Sequence, residues 1–144
     1  MTTRSLWVVL ALLMLVGHPG RAQQSAFAGF EVVGSDLGVA SLTAAEVRDI
    51  FRGERALWAS GHAVTVVLPS ARSPYVATFA EQVMGMRRDA MQRFWMSLVF
   101  QGRATPPVNL ATAAEVLAYV ERTPGAIALV PTGTAPRALV VPVR

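Results

Sequence analysis

The chain has 144 residues, with 13 arginines, no lysine, 9 acids, a formal net charge of +4 and no cysteine. The missing thiols exclude a disulfide partner, thiol catalysis, thiolate metal sites and a lipid anchored on a leader cysteine. Its basic residues are scattered, with only Arg87 and Arg88 adjacent, so no polybasic footprint for nucleic acid is present.

Residues 1–22 read as a secretory signal peptide. Arg4 supplies the positive start, Leu6 to Val16 an apolar run of 11 residues, and Gly20-Arg21-Ala22 a small-residue cleavage site. The run is too short to span a bilayer comfortably. Cleavage after Ala22 would leave residues 23–144 as one domain, with 11 arginines against 9 acids. The expected location is the periplasm, as a free protein rather than a lipoprotein.

Gln23 to Ala28 is a loose lead-in, and Phe30 to Val33 a short strand. Thr43-Ala-Ala-Glu46 has the spacing of a capping box and predicts a helix with Leu42, Val47, Ile50 and Phe51 facing the core, stopped by Gly53. A turn through Trp58 leads to a strand over Ala63–Leu68. A helix follows from Ser73 to about Met84, ended by Gly85, and another from Asp89 to Phe100 with Met91, Phe94, Trp95, Leu98 and Val99 at helical spacing. Arg103 to Val108 is a proline-bearing connector. Thr112-Ala-Ala-Glu115 is a second capping box, opening a helix to Thr123. The remaining strands are Ala126–Val130 and Ala138–Val143. This alternation predicts an α/β fold, a single three-layer-type domain. Its expected core contains Ile50, Phe51, Val64, Val66, Phe79, Phe94, Leu98, Leu117 and Ile127.

The junction after the Ala63–Leu68 strand is the most informative segment. The strand breaks at Pro69, and Ser73-Pro74 has the form of an N-cap followed by proline at the first helical position. Such a turn aims backbone N–H groups and a helix dipole at the space before it. Ser70, Arg72 and Ser73 add two hydroxyls and a guanidinium, which together suit an oxyanion.

Other candidates are weaker. His62 has no HxH or HxxxH partner, so an exposed turn residue is expected rather than a metal ligand or base. Asp36 and Asp49 could pair, but carboxylates this sparse make no acid–base constellation, and no Gly-rich phosphate loop or nucleophile elbow is present. No enzyme activity, cofactor or metal is expected. Phe94 and Trp95 read as packing residues, while Trp58 suits a binding platform or the core equally. Arg52 and Arg55, flanking Glu54, read as a solvated turn or an electropositive edge.

Taken in order, several phrases resemble the second lobe of phosphate-type periplasmic substrate-binding proteins of ABC transporters. They are Leu42-Thr-Ala-Ala-Glu-Val-Arg-Asp-Ile-Phe-Arg-Gly53, Trp58, Val66-Val-Leu-Pro-Ser-Ala-Arg-Ser73 with Phe79, Phe94-Trp95, Phe100-Gln-Gly102, Pro106-Pro107 and Thr123-Pro-Gly-Ala-Ile127. The small stand-alone proteins grouped with that family are still more similar. The resemblance, covering about Phe30 to Pro131, implies one lobe of a type 2 periplasmic binding protein, with phosphate or a similar oxyanion held at the loop after the Ala63–Leu68 strand. Three departures bear on this. The family's strand-end Arg falls on Pro69, its small Gly and Thr fall on Pro74 and Tyr75, and Arg72 stands where the family has Gly; the other lobe of the cleft is also absent.

Two readings follow. One is a non-catalytic oxyanion-binding protein of phosphate-transport type, weak or dependent on a partner. The other is an interaction module that keeps the lobe and has lost the ligand. The expected protein partner is a membrane transporter in the first case and a sensor protein in the second.

Overall fold

A computed structural model describes residues 26–144, so the predicted signal peptide at 1–22 lies outside the described residues. The elements in chain order are β1 (Phe30–Gly34), α1 (Ala44–Phe51), β2 (Thr65–Pro69), α2 (Val76–Phe79), α3 (Arg88–Phe100), β3 (Val108–Leu110), α4 (Ala113–Arg122) and β4 (Ala126–Pro131). They build one sheet in the order β1-β4-β2-β3. β2 is parallel to both β3 and β4, and β1 is antiparallel to β4, with Phe30 opposite Pro131 and Gly34 opposite Ile127.

Successive side chains of the central strands point to opposite faces, and both faces are buried. Ile127 and Leu129 join Val32, Val66 and Leu68 beneath α1, α2 and α3. Ala126, Ala128 and Val130 join Val33 and Val67 beneath Val116 and Val120 of α4. The domain is therefore α/β in three layers, as expected. A sheet covered on both faces needs apolar residues at consecutive positions, and β4 supplies them.

Both capping boxes form. Thr43 Oγ1 accepts from Glu46 N at 3.2 Å while Glu46 Oε2 accepts from Thr43 N at 2.8 Å. Thr112 and Glu115 repeat the arrangement. Each box satisfies N–H groups that would otherwise be orphaned at a helix start.

Several expectations are corrected. The helix predicted from Ser73 begins at Val76, with Tyr75 as N-cap, and beyond Phe79 it widens into a π-helical turn over Ala80–Met84 before Gly85 ends it with φ +66°. The wider turn brings Ala80, Val83 and Met84 all into the core. The second strand starts two residues later than predicted and includes Pro69, and a short strand, β3, lies in the stretch read as a connector. The last strand is absent as a continuous element: Arg137–Leu139 is a 3₁₀ turn, and only single bridges form, from Val140 to Val33 and from Val143 to Leu42. Pro142 has no N–H with which to continue a ladder. Of the expected core, Val64, Phe94 and Leu117 are only partly buried; Trp95 is the buried aromatic of α3.

Candidate functional site

β3 lies on one side of β2 and β4 on the other, so the strand order reverses between β2 and β4 although the two are parallel. Ligands in open α/β sheets bind outside the carboxyl ends of the strands at such a point. Here that position is bounded by the turn after β2, the turn after β4 and the start of α4.

The turn after β2 is held by backbone hydrogen bonds, one of them to β3. Ser70 N donates to Leu110 O at 2.9 Å, Ser73 N to Ser70 O at 2.9 Å, and Val76 N to Ser73 O at 3.4 Å. Ser73 Oγ accepts from Tyr75 N at 3.4 Å, so this hydroxyl serves the turn although it is not the N-cap. Ser73 is buried at 4% exposure, Arg72 is exposed, and Ser70 lies in the wall of a neighbouring cavity. The three residues predicted for an oxyanion share one tight turn, but Ser70 alone of them lines that cavity.

Two carboxylates stand at the same edge. Glu115 Oε2 accepts from Ala111 N and Thr112 N, each at 3.0 Å. These backbone hydrogen bonds, with a smaller contribution from the Arg72 charge, hold its carboxyl below the usual range. Glu31 Oε1, reaching from β1, accepts from Gly133 N at 3.0 Å and Ala135 N at 3.1 Å in the turn after β4. Four N–H groups that face this edge are thus already bound by the protein's own anions. Tyr75 packs edge-on against Phe30, with ring centroids 5.7 Å apart. Burial raises its phenol above the ordinary value, the Ser73 hydroxyl opposes that, and the Glu115 charge adds to it.

Glu31 has no local signal in the sequence, because its partners lie 102 and 104 residues away. Glu115 is visible as a capping residue, but its position beside Arg72 requires the folded sheet.

Among the remaining candidates, Trp58 is buried at 4% exposure and its Nε1 donates to Gly125 O at 2.8 Å. It is a clamp between loops, not an open platform. Arg55 lies over its ring at 5.6 Å and 3.7 Å from Glu46, while Arg52 Nη2 donates to Met84 O at 3.2 Å. Both arginines brace structure. His62 Nε2 lies 2.8 Å from Asp36 Oδ2, so Asp36 pairs with His62 rather than with Asp49.

The cavity that Ser70 lines has a volume of about 570 Å³ and lies between α3 and the edge strand β3. At its rim Met96 is 58% and Phe100 85% exposed. No helix among the described residues is long and apolar enough to cross a membrane.

No family model matches the sequence, and no curated protein matches it. Among solved structures, an ABC-type phosphate transport receptor from Vibrio cholerae is similar, with a TM-score of 0.60 and 16% identity. The two share a fold over the matched part. The similarity covers 80% of this chain and 46% of the receptor, so the chain spans about half the receptor's length.

Proposed function

We propose that this chain is a non-catalytic binding protein of the phosphate-transport-receptor type, exported to the periplasm by a cleaved signal peptide. It presents one lobe and works with a partner, a membrane transporter or a second lobe, that closes the cleft. The observation that carries this reading is the position of the Ser70–Ser73 turn, at the strand reversal of a fold shared with a phosphate receptor. On this reading Ser70, Arg72 and Ser73 hold phosphate or a similar oxyanion. One charge-assisted hydrogen bond contributes about 1.5–3 kcal/mol and each neutral hydroxyl about 1; a helix terminus adds about 0.3–1. The gross attraction of about 4–6 kcal/mol is reduced by immobilisation and desolvation, which puts the lone lobe at about millimolar affinity or weaker.

A second reading, an interaction module that recognises a sensor protein and no oxyanion, is favoured by Glu115 and Glu31. Their carboxylates occupy N–H groups at the same edge, and Glu115 shares the field of Arg72.

Thermal melts in phosphate, with chloride at equal ionic strength as control, separate the two. Oxyanion binding predicts a saturable rise in Tm that falls on Arg72→Ala, returns partly with Arg72→Lys, and grows on Glu115→Gln, which keeps a capping side chain but removes the competing charge. A phosphate effect no larger than that of chloride, in both the parent protein and Glu115→Gln, leaves the interaction module as the function.

A further inference from the structure

We propose that the cavity between α3 and β3 is a binding site for an uncharged, largely apolar small molecule that carries a hydrogen-bond acceptor. Its volume of about 570 Å³ lies within the usual range for small-molecule sites, about 300–1,000 Å³. It forms because α3 packs over β2 and leaves the α3-facing side of β3 uncovered. Leu68 and Asn109 lie on the strand side, Met91, Trp95 and Phe100 on the α3 side, and Pro106 at the remaining edge.

Charge decides the ligand class. Among the described residues no ionisable side chain lines this cavity. Phosphate or a carboxylate would lose its hydration there and meet no counter-charge, which is strongly unfavourable. Two polar atoms in the lining residues point to the ligand's polar group. Ser70 Oγ and Trp95 Nε1 are buried and have no hydrogen-bond partner among the described residues, and Trp95 is only 5% exposed. Buried donors left unpaired are rare because each forfeits its bonds to water. A neutral acceptor such as a ketone, ester or amide carbonyl satisfies them once small side-chain movements uncover both atoms. A rotation about one bond presents the Ser70 hydroxyl, and the methionines of α3 adjust readily to a ligand's shape.

An added peptide strand is a poorer occupant. β3 has three residues, Pro107 before it has no N–H, and the Ala111 N–H after it is bound to Glu115. Too little edge is left for a strand to pair with. Of the turn proposed for the oxyanion, Arg72 and Ser73 do not line the cavity, and Ser70 is the one residue the two sites share.

The test is titration of the purified full chain with prodan, a neutral naphthyl ketone whose emission moves to the blue in apolar surroundings. The expected result is saturable binding of one probe per chain. Gln92→Trp, which places a ring in the cavity from an exposed position of α3, weakens it about tenfold or more, equivalent to about 1.4 kcal/mol. Ser70→Ala and Trp95→Phe, which each remove one donor, weaken it about three- to tenfold. Should Gln92→Trp not fold, Asn109→Trp fills the cavity from the opposite side. The proposal is overturned by a titration without saturation, or by one indifferent to the filling variant. It is also overturned if Phe100→Ser alone abolishes binding while Gln92→Trp and Trp95→Phe bind normally, which marks a surface patch. Sedimentation revealing a dimer that Gln92→Trp dissociates assigns the cavity to a second copy and overturns it as well.

Discussion

Replacing Trp58 by phenylalanine isolates the clamp that joins the loop before β2 to the turn before β4. The indole is 4% exposed, and its Nε1 donates at 2.8 Å to Gly125 O, which also accepts from Thr65 N at 3.0 Å. Because Thr65 remains, the carbonyl is not orphaned, and loss of the indole bond costs about 0.5–1.5 kcal/mol. The smaller ring removes roughly 40 Å³, which at about 24 cal/mol per Å³ of unrelaxed cavity adds about 1 kcal/mol. Together the expected destabilisation is about 1.5–2.5 kcal/mol, a fall in Tm of about 5–10 °C for a domain of this size. Urea unfolding followed by circular dichroism measures it as a lower midpoint with an unchanged slope. Leu57→Ala is the control: Leu57 is 64% exposed, and its loss should change stability by less than about 0.5 kcal/mol. A Trp58→Phe effect as small as that control would refute the clamp and return Trp58 to the role of an exposed platform.

Gly125→Ala should be far more damaging. Its φ is +86°, and an added Cβ would lie 2.3 Å from Ala63 O, so we expect a loss above about 3 kcal/mol or failure to fold, read in the same urea assay. On α3, Trp95→Ala should cost about 3–5 kcal/mol and the half-buried Phe94→Ala about half as much; the reverse order in denaturant melts would place the wrong face of α3 on the core. Glu46 and Glu115 are held below the ordinary carboxylate range chiefly by backbone N–H bonds from Thr43 and Thr112. Their stabilisation is therefore complete above the unfolded value of about 4.3 and is lost as pH falls through the lower folded values. Glu46→Gln combined with Glu115→Gln should flatten the pH dependence of stability below about pH 4.3 and leave it nearly unchanged near pH 7, as measured by Tm against pH.

The features legible in the sequence depend on neighbours within about four residues. Thr43–Glu46 and Thr112–Glu115 form their capping boxes wherever the helices sit, since both partners lie within one turn. The alternation of Ala126, Ile127, Ala128, Leu129 and Val130 announces a strand covered on both faces, and with the helical spacings it implies three layers. The turn after β2 is likewise readable from Pro69, Ser70 and Ser73. Choices between local alternatives needed the folded chain. Phe94 and Trp95 are about 100° apart on one helix, so both cannot occupy the centre of its buried face, and only packing against the sheet selects Trp95. Trp58 becomes core because Gly125, 67 residues away, offers it a carbonyl. The helix after Tyr75 takes a π turn, and Val140 and Val143 make single bridges, because their partners on other elements set the geometry. The candidate site divides the same way. Its hydroxyls and guanidinium are adjacent in sequence, but the carboxylates of Glu31 and Glu115 and the cavity wall of α3 reach that edge only when the sheet brings distant segments together.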